Sequence, residues 1–314
     1  MSHSAIAPMV PRVSHNATTA RATAAPRLKA AVIGAGMLGL DLAERLNASP
    51  VLSCELVASR QSSASALRRA AQLGCGVSTE GITAVVQAGV DVVFDASSAD
   101  AHPAHWAALA SADVLLVDLT PSSGGSMLTP TVNAVRAESD RHLSLVSCGG
   151  QAVLPVLDAV VRNSTRVEDV EVVTTVASAS VGPATRDNLD EYLAITTYAV
   201  ERLTGATRAK VMATISPALP APAFRAQITA RAYGIHTRAL SDAVESAVAA
   251  VRQYAPGYRV GALSVVDDLV RATVTVTARG GRLPSYAGNV EIINAAAVTL
   301  AERYARSREV GHRG

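Results

Sequence analysis

Leu28-Lys29-Ala30-Ala31-Val32-Ile33-Gly34-Ala35-Gly36-Met37-Leu38-Gly39 decides how the rest of the chain is read. It opens as a short apolar run of strand length and turns through the spacing Gly-x-Gly-x-x-Gly. Helical spacing follows at once, with Leu38, Leu42 and Leu46 on one face. A strand entering a helix through such a turn is a dinucleotide-binding fingerprint. Gly34 permits the tight turn, Gly36 lets a pyrophosphate approach the backbone, and Gly39 lets the helix pack on the strand. The helix N-terminus offers free N–H groups and the positive end of its dipole to the phosphates. The same string without a ligand would be a glycine turn in an α/β core. Its place at the head of a strand–helix–strand unit favours the fingerprint.

Working outward, strand and helix patterns alternate. Cys54–Ser59, Val90–Ser97 and Asp113–Thr120 read as strands, and Ala64–Gly74 and His102–Ala112 as helices. His142–Gly150 is a further strand ending at a cysteine and a glycine pair. Such alternation predicts a parallel sheet with crossover helices, a Rossmann-type α/β fold. After Gly150 the texture changes. Val172–Ala177, Gln227–Ala232 and Ala272–Ala278 alternate Val and Thr with other residues and predict a mixed or antiparallel sheet. Amphipathic helices surround them. Asn289–Ser307 reads as one helix. The expected organisation is a dinucleotide-binding domain of residues 29–148 plus 290–309, the C-terminal helix returning to it. An α+β substrate and dimerisation domain of 149–289 lies between. Residues 1–28 hold no acid and carry Pro8, Pro11 and Pro26, and read as a disordered N-terminal extension. The Val and Thr alternation leads us to expect the second sheet to pack on another copy, making a homodimer.

The 314 residues are 49% hydrophobic and 17% charged, too apolar for a disordered chain. No uninterrupted apolar run reaches the ~20 residues of a membrane helix. A net charge of +2 from 28 basic and 26 acidic residues leaves no electrostatic footprint for nucleic acid. Aromatics at 3% argue against a base-stacking surface. Three dispersed cysteines suit neither a disulfide framework nor a zinc site, so no metal is expected and the compartment reads as cytoplasmic.

Two positions carry the chemistry. The second strand ends at Ser59 and Arg60, where an NAD-selective site usually has a carboxylate for the ribose 2′-OH. A hydroxyl and a guanidinium suit a 2′-phosphate instead, which leans the site to NADP, although a solvated loop arginine would look the same. Cys148, in Ser147-Cys148-Gly149-Gly150-Gln151-Ala152, stands at a strand's carboxyl end before a helix. A thiol near a helix N-terminus is expected to have a lowered pKa and to be a better nucleophile. From spacing alone, an inert buried cysteine is an equal reading. Cys54 and Cys75 lack such a setting and read as packing residues.

The segment Val146-Ser147-Cys148-Gly149-Gly150-Gln151-Ala152 resembles that of the acylating acetaldehyde dehydrogenases. These enzymes interconvert an aldehyde plus coenzyme A with an acyl-CoA, using a nicotinamide cofactor. Phe94–His102, Leu116–Pro121, Ser180–Tyr192, Tyr254–Arg259 and Leu283–Ile292 resemble further motifs of that family, in the same order. The resemblance spans nearly all of residues 29–308. It implies that Cys148 is the nucleophile that carries the acyl group as a thioester, with coenzyme A as co-substrate and NAD or NADP as cofactor. It places Ala35, Gly36, Met37 and Leu38 in a cofactor-binding stretch. Ser180, Val181, Gly182, Pro183, Ala184, Thr185, Arg186, Asp187 and Asn188 match a second. Asn289 matches an asparagine lining the cofactor site, with capping of the last helix as the lesser alternative.

Two departures stand out. The family has an aspartate, thought to help activate the thiol, shortly after a PPxxMRD-like stretch. Here Pro220-Ala221-Pro222-Ala223-Phe224-Arg225-Ala226 ends in alanine. Activation is then expected from the helix dipole, water or substrate. The segment between Tyr254–Arg259 and Leu283–Ile292 is also shorter than the family's. In members that pair with a 4-hydroxy-2-oxoacid aldolase that region contributes to association, so an aldolase partner is doubtful. The leading reading is a CoA-acylating aldehyde dehydrogenase. Behind it stand a diverged oxidoreductase acting on another aldehyde or a carrier-bound thioester, and a cofactor-binding partner protein with weakened catalysis.

Overall fold

A computed structural model describes residues 27–60, 64–122 and 124–311. The reading of an N-terminal extension falls almost entirely outside them, and the first strand takes in Leu28. The first half runs β1 (Leu28–Ile33), α1 (Met37–Ala48), β2 (Leu52–Ala58), α2 (Ala64–Gln72), β3 (Gly76–Ser78), α3 (Ile82–Ala88), β4 (Val92–Asp95), α4 (His102–Leu109), β5 (Leu115–Asp118), β6 (Ser126–Met127) and β7 (His142–Ser144). These strands form a seven-stranded sheet in the order β3-β2-β1-β4-β5-β7-β6. Every pairing in it is parallel. The order reverses direction between β1 and β4. That leaves a crevice beyond their carboxyl ends, where open α/β sheets bind ligands.

The second half runs α5 (Cys148–Arg162), β8 (Arg166–Ala177), α6 (Pro183–Asp187), α7 (Leu189–Thr204), β9 (Arg208–Ser216), β10 (Phe224–Tyr233), α8 (Thr237–Arg252), β11 (Tyr258–Val260), β12 (Ser264–Val266), β13 (Leu269–Val276) and α9 (Gly288–Gly311). Its six-stranded sheet is mixed. Strand β8 pairs parallel with β9, while β10 and β13 pair antiparallel with their neighbours. All three expected strands are present, and β9, β11 and β12 complete the sheet.

One face of this second sheet is apolar. Val172, Phe224, Ala226, Ile228, Val270 and Val274 are buried in one core with Leu154 and Leu157 of α5 and Leu240 of α8. The opposite face presents Thr175, Arg225, Gln227, Arg231, Arg271 and Thr273, all half-buried or exposed. Helices cover the apolar face, and the other face is left carrying these polar side chains.

Helix α9 does return to the first sheet. Ile293, Ala296, Ala297, Leu300 and Tyr304 lie in the same core as Val32, Leu42, Val92, Phe94 and Leu115. Arg45 on α1 links the two helices, pairing with Asp41 and with Glu291 at 2.7 Å each. Close helix–strand packing at the fingerprint depends on Gly39, where a Cβ would lie 1.9 Å from the Gly34 carbonyl oxygen.

Candidate active site

The glycine turn opens on a cleft of about 380 Å³ at the switch between β1 and β4. Gly34, Ala35, Gly36, Met37 and Leu38 form its floor. Ser59 and Arg60 stand at one end, and Ser180 to Thr185 with Asn188 form the wall opposite. Of the expected cofactor-binding residues, Gly39, Arg186, Asp187 and Asn289 do not line it. Gly39 serves the packing just described. Arg186 donates to the Ser178 carbonyl at 3.0 Å and hydroxyl at 2.9 Å, which clamps the turn that holds Ser180. Asp187 is exposed to solvent. Asn289 is buried and donates from Nδ2 to the Ser180 carbonyl at 3.1 Å, while its Oδ1 has no partner. Asn188 both lines the cleft and accepts the Ala99 N–H at 3.1 Å, tying the wall to the loop after β4.

Three features suit an anionic dinucleotide. Helix α1 starts at Gly36 with no side-chain cap, so its first-turn N–H groups remain open to a ligand. A Cβ at Gly36 would meet nothing within 4 Å, so the turn faces open space. Arg60 lays its aliphatic stem along Gly81, whose absent Cβ would otherwise sit 3.0 Å from Arg60 Cγ. The guanidinium is thus carried on a packed stem beside the cleft.

Cys148 begins α5 after an unusual corner. Val146 has φ 61°, left-handed backbone that a β-branched residue rarely adopts. Ser147 is extended and caps the helix, its Oγ accepting the Gly150 N–H at 2.9 Å. Gln151 donates from Nε2 to the Leu128 and Leu145 carbonyls at 2.7 and 2.8 Å, fixing the helix to the strand it leaves. The helix therefore starts at Cys148, six residues before the Leu154 at which its apolar pattern becomes legible. The cysteine lies at the seam of the two cores and packs against both.

The expectation of a lowered thiol pKa is corrected. The residue is half-buried, but protein surrounds the sulfur closely enough that burial pushes the thiol up to about 11. That outweighs the hydrogen bond with Tyr192 and the N–H groups of Gly149 and Cys148, which act the other way. Desolvation of a thiolate exceeds what one helix terminus returns.

The motifs at the ends of β4 and β5 also assemble a charged cluster that spacing did not reveal. Asp95 and Asp118 are neighbours in register and fully buried. Asp95 Oδ2 accepts from Nδ1 of His102 at 2.9 Å and of His105 at 2.8 Å. Burial opposes ionisation of Asp95, but hydrogen bonds from His102, His105 and Ser97 hold its carboxyl well below the usual range. Asp118, with weaker relief from His102, Ser122 and Thr120, is pushed up by burial to about 6. His102 Nε2 meets His142 Nε2 at 2.9 Å, and Trp106 stacks on His142. Among the described residues His102, Asp118 and His142 bring ligand atoms within 4.8 Å of one another. The two Nε2 atoms are hydrogen-bonded to each other, one donating and the other accepting. The signal for this cluster was present in Phe94–His102, but only the fold shows that Asp95 and His102 face one another.

A parallel sheet with a glycine-turn crevice, and a cysteine at a capped strand-end corner of the same sheet, are the frame of a nicotinamide-dependent dehydrogenase. The semialdehyde dehydrogenase NAD-binding domain matches residues 29–134, and the prokaryotic acetaldehyde dehydrogenase dimerisation domain matches residues 148–284. An acetaldehyde dehydrogenase of Streptomyces griseus is 46% identical over 92% of this chain and 94% of its own length. One from Pectobacterium atrosepticum is 37% identical over 88% of this chain and 95% of its own. The chain belongs to the acetaldehyde dehydrogenase family. Its fold is also that of aspartate semialdehyde dehydrogenases. The one from Pseudomonas aeruginosa superposes with a TM-score of 0.64 at 16% identity, covering 88% of this chain and 98% of that one. The Candida albicans enzyme, solved with NADP, gives 0.63 at 12% identity, over 90% and 99%.

Replacing Asp95 by alanine would leave two buried imidazoles without their acceptor and should cost about 3–5 kcal/mol at neutral pH. The sign of the pH dependence follows from the lowered carboxyl pKa. The unfolded chain binds that proton first, so the contribution is complete above about pH 3.9 and fades as pH falls toward the native value. Urea unfolding of wild type and Asp95→Ala should show a gap that narrows on strong acidification.

Proposed function

We propose that this enzyme is a CoA-acylating aldehyde dehydrogenase, joining a short-chain aldehyde to coenzyme A through a thioester on Cys148. The observation that carries the reading is the corner at Val146–Cys148. A strained turn, held by hydrogen bonds from Ser147 and Gln151, places one cysteine at the N-terminus of a buried helix, at the carboxyl end of the sheet that also forms the cofactor cleft. Strain of this kind persists where the surroundings over-determine it, commonly at functional sites.

The chemistry follows from the residues. Cys148 Sγ adds to the aldehyde carbon, giving a hemithioacetal. A nicotinamide in the cleft supplies the hydride acceptor. The acyl group is then held on Sγ as a thioester until the thiol of coenzyme A takes it. Splitting oxidation from acyl transfer is what a covalent nucleophile provides. Asn289 holds the Ser180 wall of the cleft in place from behind.

NADP(H) is the favoured cofactor, with NAD(H) accepted less well, because Ser59 and Arg60 stand where a carboxylate would select the 2′-OH. The second sheet, within the matched dimerisation domain, mediates a homodimer through its polar Thr- and Arg-bearing face. The reading places the enzyme in the cytoplasm, acting on small molecules without nucleic acid or membrane, and leaves an aldolase partner doubtful.

Cys148→Ala should lose the mass increase that an acyl-CoA leaves on the wild-type protein, while cofactor binding by fluorescence stays within about twofold, since the cleft binds the dinucleotide independently of the thiol. Turnover with coenzyme A in that variant would overturn the assignment. Arg60→Asp should reverse the NADP preference, because a carboxylate bonds the 2′-OH and repels a 2′-phosphate. An unchanged ratio of kcat/KM for the two cofactors would place Arg60 in solvent. Light scattering at micromolar concentration should give twice the chain mass, and a strict monomer would exclude the dimer.

A further inference from the structure

Position 226 is alanine, fully buried on β10. Directly opposite it in register, on β8, stands Thr174. Facing pairs in a sheet point to the same side, so both reach toward the start of α5. Here the structure places a phenol. Tyr192, in the first turn of α7, is buried, and its hydroxyl oxygen lies 3.7 Å from Cys148 Sγ, with the thiol as donor. Its hydroxyl also interacts with Thr174 and with the Gly149 N–H. Room for it exists because residue 149 is glycine. A Cβ there would lie 2.5 Å from the Tyr192 oxygen and 3.1 Å from the Thr174 methyl.

The placement is fixed from both sides. The Thr196 hydroxyl, one turn along α7, is 2.6 Å from the Tyr192 carbonyl oxygen and 2.7 Å from Ser147 Oγ. A carbonyl only accepts, so Thr196 gives its proton there and the Ser147 hydroxyl supplies the other bond. The same serine caps α5. Tyrosine and cysteine are therefore carried on two helices joined through one hydroxyl pair.

We propose that Tyr192 is a catalytic residue, a neutral phenol that relays the Cys148 thiol proton to the aldehyde oxygen as the carbon–sulfur bond forms. This rests on the reading of Cys148 as the nucleophile. In the step, the thiol proton passes to the phenol oxygen and the phenol proton passes to the carbonyl oxygen. Sulfur bonds to the carbonyl carbon, and the carbonyl π pair becomes the new O–H bond. Nothing is oxidised or reduced, and the phenol is regenerated. The carbonyl oxygen is one bond from the carbon that sulfur attacks, which keeps it within reach of a hydroxyl already touching that sulfur.

A neutral relay suits this environment better than an ion pair. Burial pushes both the thiol and the phenol up, so both hold their protons at neutral pH. Among the described residues no carboxylate, imidazole or cationic side chain hydrogen-bonds to either group. Asp187, Asp190 and Glu191, just before Tyr192, are exposed, and Glu171 on β8 and Arg225 on β10 are exposed on the sheet's other face. The relay supplies from α7 what a carboxylate at position 226 would supply from β10.

The test is the pH dependence of propanal oxidation with coenzyme A in wild type and Tyr192→Phe. Wild-type kcat should be level from about pH 6.5 to 8.5, because neither relay partner ionises there. Tyr192→Phe should lose about 10²-fold in kcat near pH 7, keep its cofactor KM, and rise about tenfold per pH unit as the reacting thiolate fraction grows. Mass analysis after incubation with an acyl-CoA reads Cys148 acylation separately. If wild-type Cys148 is acylated and Tyr192→Phe matches wild-type turnover, the relay falls while the nucleophile stands. If wild-type Cys148 is never acylated, both fall. A wild-type profile that climbs in parallel with the variant also overturns the relay. Should Tyr192→Phe fail to fold, ring-fluorinated tyrosine at 192 decides. The relay expects its rate to fall at the lower pH where that phenol ionises, and an unchanged profile refutes it.

Discussion

The left-handed turn at Val146 is the constraint on which the arrangement depends. It breaks the line of β7 so that Ser147 can extend, cap α5 and deliver Cys148 to the junction of the two cores. Such a conformation costs about 1–3 kcal/mol and survives only when neighbours fix it. They do so here: Gln151 bonds the carbonyls of Leu128 and Leu145, and Ser147 bonds Gly150 and Thr196. Helix α5 then forms one wall of the second core, against β8, β10 and α8. The cysteine's position is thus set by hydrogen bonds in the first sheet and by apolar packing in the second.

The cleft and the cysteine corner are built by different means. At the cleft, backbone does the work, through an uncapped helix start and a wall held by Arg186, Asn188 and Asn289 from behind. At the corner, side chains satisfy the backbone and leave a thiol with one phenol for company. Burial controls the second site and opposes charge. That is why a neutral hydrogen-bonded pair fits there, while the first suits an anion.

Much of this was legible before any coordinates. The period of the apolar residues and the glycine turn gave β1 and α1, and the cysteine between a strand and a helical pattern marked the corner. The six-residue start of α5 was hidden because Cys-Gly-Gly-Gln carries no helical face. Strand β3 is three residues long and lies at an edge, and α3 has seven. Strand β9 alternates weakly because, as an edge, it buries little. Tyr192 entered only as the last residue of the family-like stretch Ser180–Tyr192, at the head of an amphipathic helical pattern. Nothing local separates a packing tyrosine from one whose hydroxyl meets a thiol 44 residues away in the chain. The alanine at 226 was the usable signal, and it named what was missing without naming what replaced it. The reading of the thiol's pKa failed because spacing reports a helix terminus but not the depth at which it sits.

The return of α9 has a consequence for biosynthesis. The first sheet's apolar face is finished by Ile293, Ala296, Leu300 and Tyr304, which emerge from the ribosome long after its last strand. Until then Leu42, Phe94 and Leu115 lack part of their cover, and the nascent nucleotide-binding half presents an unfinished core. Contacts of such long sequence separation slow folding and prolong exposure of sticky surface. The helix that completes this core also carries Asn289 to the wall of the cleft. Competence to bind the dinucleotide is therefore coupled to near-completion of synthesis, and a chain stalled before α9 would be a client for chaperones rather than a partly working enzyme.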